Sequence, residues 1–542
     1  MCLVSSENPT AFFSDNHKPT FVWRRITMAD FMQNLKKITE ESGNVCLTEN
    51  GAVAYKTTGK PLLDLNFKIS SMRSMSEADK IKLMTSVYNE DKKLFIKWLF
   101  FAGDVREGCG ERSLFRAGLK VITRSDPDIA KSLLSLIPEY TRWDNLVVLA
   151  DNSSIKDKVV EIIKEQLGED MESMNAGKSV SLLAKWMPSN NTSSAETVSR
   201  ARFLAKRLGI SDREYRKMLS ALRKYLDVVE VKLSAKQFGE INYSAVPSKA
   251  NVKYSDAFLR NDETRRRAFL ESLKKGEAKI NGNVNFPYDI VHKYLCGGYG
   301  YVSNIADDTA EALWKALPDY VKGQGNTICV ADGSGSMCTA VGGGSSVTAL
   351  EVCYSLAIYF AEHSSGQFKD KFITFSHRPK FVDLSECDSL NSKLKEMHKH
   401  AEYANTNIEA VFDLILKTAV EGNLSQEEIP NILVLSDMEF DICAASSRSG
   451  KIGKKDFDEI KERFKNAGYK LPRLIFWNIC SRTGAITVKE NEMGVALVSG
   501  FSPTVCEMVL SDKLDPWELL LEKINSERYV PVEEALDLKQ AG

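Results

Sequence analysis

The sequence has no apolar run near the roughly 18 residues that a helix needs to cross a bilayer. Its first residues do not combine a basic segment with an apolar core, as a signal peptide does. The eleven cysteines form no Cys-x-x-Cys pair and no other spacing typical of metal ligands. Scattered thiols of this kind are typical of reduced proteins inside the cell rather than of disulfide scaffolds. We therefore expect a soluble cytoplasmic protein with no membrane association.

Motifs of nucleophilic catalysis and nucleotide binding are also missing. A nucleophile elbow requires glycine two positions before and two positions after the serine, and Ser334 has Asp332 and Ser336 there. Residues 177–179 would end a phosphate-binding loop only if residue 172 were glycine, and it is glutamate. We therefore expect a binding protein rather than an enzyme.

Length and charge distribution indicate several domains and one basic surface. With 542 residues, the chain exceeds what a single hydrophobic core usually serves. Its net charge is only −1, but residues 181–275 carry 20 Lys and Arg against 10 Asp and Glu. Such a local surplus is typical of a surface that faces a polyanion, and a set of solvated helix faces is the alternative.

Apolar residues recur at helical spacing through most of the first half of the chain. A helix is predicted over 21–38, after a loosely held arm over 1–20. Many short helices follow without strands, which predicts an α-solenoid or helical array, although no fixed repeat period is present. The predicted segments are 80–88, 92–102, 111–122, 129–137, 155–167, 179–186, 197–208, 212–225 and 262–274.

Strands and helices alternate from residue 327 onward. This order predicts an α/β domain with a parallel, doubly wound sheet, whose ligand site lies at the carboxyl ends of the strands. Ser346 is available to cap the first helix, and the tail to residue 542 is expected to be peripheral. The predicted strands are 327–331, 371–375, 380–382, 431–435, 473–478 and 495–498, and the predicted helices are 345–362, 389–398, 407–419 and 454–467.

Oxygen-bearing side chains collect where these strands end. Asp332, Ser334 and Ser336 follow the first strand, and Asp437 follows the strand over 431–435. Thr406 lies near the expected N-cap of the helix over 407–419. Carboxylates and hydroxyls are the donors that a hard cation such as Mg2+ prefers. The alternative is a plain strand-to-turn junction in which serine and glycine make the bend.

The Asp-x-Ser-x-Ser run, the later threonine and the later aspartate occur in an order that resembles a von Willebrand factor A domain with a metal-ion-dependent adhesion site. The resemblance implies that Ser334, Ser336 and Thr406 bind one Mg2+ ion directly. It implies that Asp332 and Asp437 act directly or through water. An ion held by hydroxyls is electron-poor and therefore binds an acidic ligand from a protein partner. This favours a role in adhesion over a role in hydrolysis.

Four short runs, one at the start of the helical half and three at helix junctions, resemble in order the TROVE module of Ro-type RNA-binding proteins, and above all a Ro-like family that carries this module together with an A domain. The similarity spans residues 45 to 510, approximately. It implies a ring of HEAT-like helical repeats over 21–320, closed by the A domain over 321–512 and followed by a closing helix and tail over 513–542. The matching runs are Thr-Glu-Asn-Gly at 48–51, Asp-Val-Arg-Glu-Gly-Cys-Gly-Glu-Arg at 104–112, Arg-Trp-Asp at 142–144 and Lys-Trp-Met-Pro-Ser at 185–189.

In Ro proteins a basic outer surface binds structured small RNA, and the central hole admits single-stranded RNA ends. The basic segment 181–275 would be the corresponding surface here, with Trp186, Tyr215 and Tyr225 as aromatics that stack on bases or pack in the core. Arg106 and Arg112 are expected to be structural. The candidate RNA contacts are Lys185, Arg213, Arg216, Lys217, Arg223, Lys224, Arg265, Arg266 and Arg267.

The leading hypothesis is therefore a Ro-like ribonucleoprotein component whose Mg2+-dependent A domain recruits an acidic protein partner. One alternative is a protein-interaction or assembly scaffold in which the RNA role is lost. A second alternative is a metal-dependent nuclease, because a Mg2+ site can activate water.

Overall fold

The computed structural model describes residues 9–12, 20–23, 44–47, 53–295, 301–322, 326–402, 406–438, 454–481, 495–502, 505–506 and 515–540. A helical region precedes a six-stranded sheet that is flanked by helices. The predicted order, helical first and α/β second, is confirmed at this level.

Short strands come first. β1 (Pro9–Phe12) pairs antiparallel with β2 (Thr20–Trp23), and β3 (Val45–Leu47) pairs antiparallel with β4 (Val53–Tyr55). The helix predicted from residue 21 is therefore wrong at its start, because the β-branched and aromatic residues of β2 favour a strand. The rest of that prediction, and most of the arm over 1–20, lie outside the described residues.

The helical region follows the predicted succession closely. The predicted segment 129–137 is divided between two helices because Pro138 restricts the chain there. A helix over Ser248–Asn261 was not predicted, since its buried face includes the polar residues Asn251 and Ser255. The helices are α1 (Pro61–Phe67), α2 (Glu77–Glu90), α3 (Lys92–Gly103), α4 (Arg112–Ser125), α5 (Pro127–Leu133), α6 (Ile137–Tyr140), α7 (Trp143–Val147), α8 (Lys156–Asn175), α9 (Leu183–Trp186), α10 (Ala195–Leu208), α11 (Asp212–Tyr225), α12 (Val229–Ser234), α13 (Ser248–Asn261), α14 (Glu263–Lys274), α15 (Pro287–Val291) and α16 (Asp308–Lys315).

The sheet has the strand order β10-β9-β8-β5-β6-β7. When these six strands are numbered 1 to 6 in chain order and the sheet is read from β7, the order is 3-2-1-4-5-6, as in a doubly wound fold. The prediction of an all-parallel sheet is wrong at one edge, where β7 runs antiparallel to β6. The connection between β6 and β7 is a short turn, whereas a parallel crossover needs a dozen or more residues. The strands are β5 (Thr327–Asp332), β6 (Lys371–Phe375), β7 (Phe381–Asp383), β8 (Asn431–Ser436), β9 (Leu474–Asn478) and β10 (Val495–Ser499).

Helices cover both faces of the sheet. Cys329 and Ala331 pack on the face covered by α17 (Ala349–His363) and α18 (Leu390–Lys399), while alternate strand residues pack on the face covered by α19 (Ile408–Glu421) and α20 (Lys454–Asn466). Strands buried on both faces read as continuous apolar runs, which is why the sequence predicted them well. The N-cap of α17 is Thr348, not Ser346.

The C-terminal helices belong to the core, so the prediction of a peripheral tail is wrong. α21 (Pro516–Ile524) packs on α3, and α22 (Val530–Gln540) packs on α3 and α5. Tyr529 is fully buried between them. One continuous hydrophobic core extends from the first helices through one face of the sheet to these last helices. Among the described residues, no helix has the length and apolar character needed to cross a membrane.

Candidate functional site

The strand order reverses between β5 and β8, which are hydrogen-bonded neighbours. Asp332 is the last residue of β5, and Asp437 directly follows β8. Ligands of doubly wound sheets bind at such a reversal, in the crevice beyond the carboxyl ends of the strands. The topology therefore puts both predicted carboxylates at the edge where a ligand is expected.

Hydrogen bonds hold the first part of the site in place. Asp332 Oδ1 accepts from the backbone N–H of Ser334 at 2.9 Å. The hydroxyl oxygens of Ser334 and Ser336 lie 2.9 Å apart. The predicted Asp-x-Ser-x-Ser run is thus a compact turn that gathers one carboxylate and two hydroxyls.

A residue without a predicted role, Ser436, joins the two strands. Its hydroxyl donates to Asp332 Oδ2 at 2.6 Å and accepts from the backbone N–H of Met438 at 3.1 Å. Met438 has a φ of 63°, a left-handed conformation that is uncommon outside glycine. Ser436 therefore fixes the turn that carries Asp437, and only its position at the end of a buried strand signals this role.

Burial and a neighbouring carboxylate disfavour the negative charge of Asp332. Asp332 and Asp437 are 1% and 3% exposed. Burial, followed by the negative charge of Asp437, raises the pKa of Asp332 to about 7. No Lys or Arg in the described part of the chain forms an ion pair with Asp332. A divalent cation would relieve this repulsion, and the carboxylate and hydroxyl oxygens suit Mg2+.

Thr406 is the predicted ligand that precedes α19. It is 6% exposed and lies two residues before the start of α19, whose N-cap is Asn407. Among the described residues, no three His, Cys, Asp or Glu side chains gather into a metal cluster. An ion at this edge would therefore depend on hydroxyl ligands, as Ser334 and Ser336 could supply.

A groove of about 1000 Å³ lies between α11, α12 and the segment 189–191. Four of its lining residues are exposed cations of α11, and none of them forms an ion pair within the described residues. Their spacing puts them along one stripe of the helix, opposite the buried Tyr215, Leu219 and Leu222. The four cations are Arg213, Arg216, Lys217 and Lys224.

The other predicted RNA contacts are engaged within the protein. Arg223 also lines the groove, but its guanidinium donates to the carbonyls of Ala184 and Met187. Lys185 pairs with Glu230 at 3.6 Å, and Arg267 pairs with Glu263 at 2.8 Å.

Two neighbouring arginines of α14 also have internal roles. Arg265 pairs with Asp262 at 2.8 Å and donates to the carbonyl of Ile241. Arg266 is fully buried, with its guanidinium about 5 Å from the rings of Tyr243 and Phe258. Its prediction as an RNA contact is wrong, because it belongs to the inward face of α14.

Aromatic side chains near the groove are largely committed to packing. Tyr215 is fully buried and donates its hydroxyl to the carbonyl of Pro188. The guanidinium of Arg142 lies 4.4 Å from the ring centre of Trp186. Tyr225 is 40% exposed and donates its hydroxyl to the carbonyl of Lys178. Of these three rings, Tyr225 is the one that retains substantial exposure for stacking on a base.

Comparison with known proteins divides the chain at the start of the sheet. Residues 151–327 match the family model of a domain of unknown function, DUF2828, and residues 326–534 match another domain of unknown function, DUF7788. The boundary between them coincides with β5. The chain is also similar to an uncharacterized protein of Acanthamoeba polyphaga mimivirus, with 29% identity over 527 residues that cover 90% of this chain and 88% of that protein.

Proposed function

We propose that this chain is a Ro-like RNA-binding protein, in which the stripe of cations on α11 binds the backbone of small or single-stranded RNA. The observation that carries the proposal is the groove beside this stripe, with four exposed cations on one helix face. Cations without an acidic partner are available to phosphates. Binding releases the counterions that surround the RNA, which supplies a favourable, salt-dependent free energy.

The dimensions of the stripe fit several phosphates. α11 has 14 residues and is therefore about 21 Å long at the α-helical rise. Arg213 and Lys224 lie near its two ends, with Arg216 and Lys217 between them. Asn191 also lines the groove and offers its amide group to sugars or base edges. A backbone contact with little sequence preference follows from this arrangement.

We propose further that the helical region forms a TROVE-like ring that the sheet domain closes within one chain. Support comes from hydrogen bonds at both ends of the helical region. At one end, Asn478 of β9 donates to the carbonyl of Phe67 in α1. At the other end, His292 beside α15 contacts Glu351 of α17. A closed ring requires that the succession of helices meets the same domain at both ends, as these two contacts do.

The sheet domain then acts as an A-type adhesion domain. Asp332, Ser334, Ser336, Thr406 and Asp437 would hold Mg2+, and the bound ion would supply an open position for a carboxylate of a protein partner. The hydroxyl ligands are neutral, so the ion keeps much of its charge for that partner. This role favours recruitment of an acidic protein to an RNA-bound ring.

Fluorescence anisotropy with a labelled single-stranded oligoribonucleotide tests the RNA role. We expect binding at low salt that the double variant Lys217→Gln/Lys224→Gln weakens about tenfold or more. The matched control is Lys82→Gln/Lys164→Gln, which removes two exposed lysines outside the groove. An equal loss of RNA affinity in both variants would mean that the effect comes from net charge and not from the groove. Absence of RNA binding by the wild-type protein would refute the proposal. Binding of one stoichiometric protein but no RNA would favour the scaffold alternative.

A further inference from the structure

Three arginines share one carboxylate at the junction of α4 and α7. Asp144 Oδ2 lies 3.3 Å from a terminal nitrogen of Arg112, 3.2 Å from one of Arg116 and 3.0 Å from one of Arg142. All three bonds use the same oxygen, so each guanidinium retains N–H donors beyond this contact. We call Arg112, Arg116, Arg142 and Asp144 the arginine cluster.

The charges of the arginine cluster do not balance. Three positive charges face one negative charge, and nearby acids are engaged elsewhere. Glu111 pairs with Arg73 at 2.7 Å, and Asp104 pairs with Arg528 at 2.9 Å. The neighbouring Arg200 already has two acidic partners, Asp151 and Glu196.

Burial and mutual repulsion both act against the positive charges of the arginine cluster. Burial lowers the pKa of Arg116, and the positive charge of Arg112 lowers it further. Burial also lowers the pKa of Arg142, with Arg112 again opposing its charge. The cluster is therefore short of about two negative charges, which an anion of matching charge would supply.

The arginine cluster is both accessible and held in place. The side chains of Arg112 and Arg142 are 48% and 33% exposed. Arg116 is fixed by a 2.7 Å hydrogen bond from its Nε to Asn145 Oδ1, and Arg142 stacks on Trp186. A guanidinium that is already oriented loses less conformational entropy when it binds an oxyanion.

We propose that the arginine cluster binds the terminal phosphate monoester of an RNA chain, a proposal that rests on the RNA-binding function above. A phosphate monoester carries a charge of about −1.5 to −2 at neutral pH, whereas an internal phosphodiester carries only one negative charge. The excess of two positive charges therefore selects the end of a chain over its middle. Planar guanidinium groups also match the oxygens of a phosphate in pairs.

The test compares one oligoribonucleotide in three forms, with a 5′-phosphate, with a 3′-phosphate and with hydroxyls at both ends. We expect one phosphorylated form to bind the wild-type protein about tenfold more tightly than the hydroxyl form. The variant Arg112→Gln/Arg142→Gln should lose this difference and keep the affinity for the hydroxyl form. The variant Lys217→Gln/Lys224→Gln should weaken all forms and keep the ratio between them. Thermal unfolding establishes that each variant is folded, and Arg112→Lys/Arg142→Lys provides a charge-conserving second variant that should retain part of the preference.

The outcomes separate this inference from the RNA proposal. Equal affinity for the three forms in the wild-type protein would overturn the terminal-phosphate site while leaving RNA binding intact. If no form binds, the RNA proposal fails, and titration with inorganic phosphate decides the anion site. If phosphate stabilises the wild-type protein but not Arg112→Gln/Arg142→Gln, the arginine cluster is an anion site. If phosphate has the same effect on both proteins, the anion site is overturned.

Discussion

His292 Nδ1 lies 2.6 Å from Glu351 Oε2, and this contact joins the helical region to the sheet domain. His292 Nε2 also lies 3.2 Å from the hydroxyl of Ser346. Glu351 is buried in the first turn of α17, so its carboxylate has little other solvation. The pair thus couples the charge state of one histidine to the contact between the two regions.

This contact makes the stability of the protein depend on pH. The hydrogen bond to Glu351 raises the pKa of His292 above its ordinary value of 6.5. A raised histidine pKa contributes stability that is complete below pH 6.5 and is lost as the pH rises through the folded-state value. The variant Glu351→Gln should lose the decline in melting temperature that the histidine causes as the pH rises. The control His400→Gln, which removes a half-buried histidine paired with Glu396, should keep that decline. Parallel pH profiles for the wild-type protein and Glu351→Gln would contradict the prediction.

At the proposed site, the carboxylate pair should make the binding of Mg2+ depend on pH. The pKa of Asp332 is about 7 against an ordinary value of 3.8, so in the metal-free protein its contribution to stability is present near pH 4 and lost as the pH rises through 7. Mg2+ should therefore raise the melting temperature more at pH 8 than at pH 6, because protons compete for the site. At about 100 times its Kd, the ion stabilises by about 2.7 kcal/mol.

Substitution of one carboxylate tests the same site without a change in pH. Asp437→Asn should abolish the Mg2+ effect, and it should make the stability of the metal-free protein fall less between pH 4 and pH 8, because it removes the repulsion of Asp332. The control is Asp128→Asn, at an exposed position of α5. Differential scanning calorimetry in EDTA and in Mg2+ measures both effects, and an unchanged Mg2+ shift in Asp437→Asn would exclude Asp437 from the site.

The C-terminal segment should be essential for stability. Tyr529 stacks on Tyr140 with ring centres 5.7 Å apart, and it meets the ring of Phe101 edge-on. Tyr529→Ala should lower the free energy of unfolding by about 3–5 kcal/mol, because it leaves a cavity in the core. The adjacent Val530 is 42% exposed, so Val530→Ala should change it by less than about 0.5 kcal/mol. Urea denaturation distinguishes the two, and similar values would mean that this segment is peripheral.

Substitution of two adjacent arginines of α14 should change the stability of the fold by very different amounts. Arg266 is buried among aromatic rings, and burial lowers its pKa to about 10. Arg266→Ala should destabilise the fold by about 2–4 kcal/mol through lost packing and lost cation–π contacts, while RNA affinity of the folded protein stays unchanged. Arg267 is exposed and pairs with Glu263, so Arg267→Ala should leave the stability within about 0.5 kcal/mol of wild type. A loss of RNA affinity in folded Arg266→Ala would contradict the internal role.

Periodicity and strand ends allowed much of the fold and part of the site to be predicted. Continuous apolar runs identified β5 and β8 as strands buried on both faces. Asp332 and Asp437 could then be predicted as site residues because they lie at the carboxyl ends of these strands. Ser436 was missed because a hydroxyl at the end of a strand has no pattern of its own. Arg266 was misassigned because the charge surplus of a segment does not say which residue points inward. The antiparallel β7 was missed although the short connection after β6 is a local signal for it. The burial of Tyr529 depends on contacts between distant parts of the chain, which local spacing cannot reveal.

The most direct test of RNA binding by the α11 stripe is the slope of log affinity against log salt concentration for a single-stranded oligoribonucleotide. Each phosphate contact contributes about −0.7 to this slope, so four cations predict a value of about −3. The variant Lys217→Gln/Lys224→Gln should reduce the slope to about −1.5. A wild-type slope near zero, or the same slope in the variant, would contradict the account.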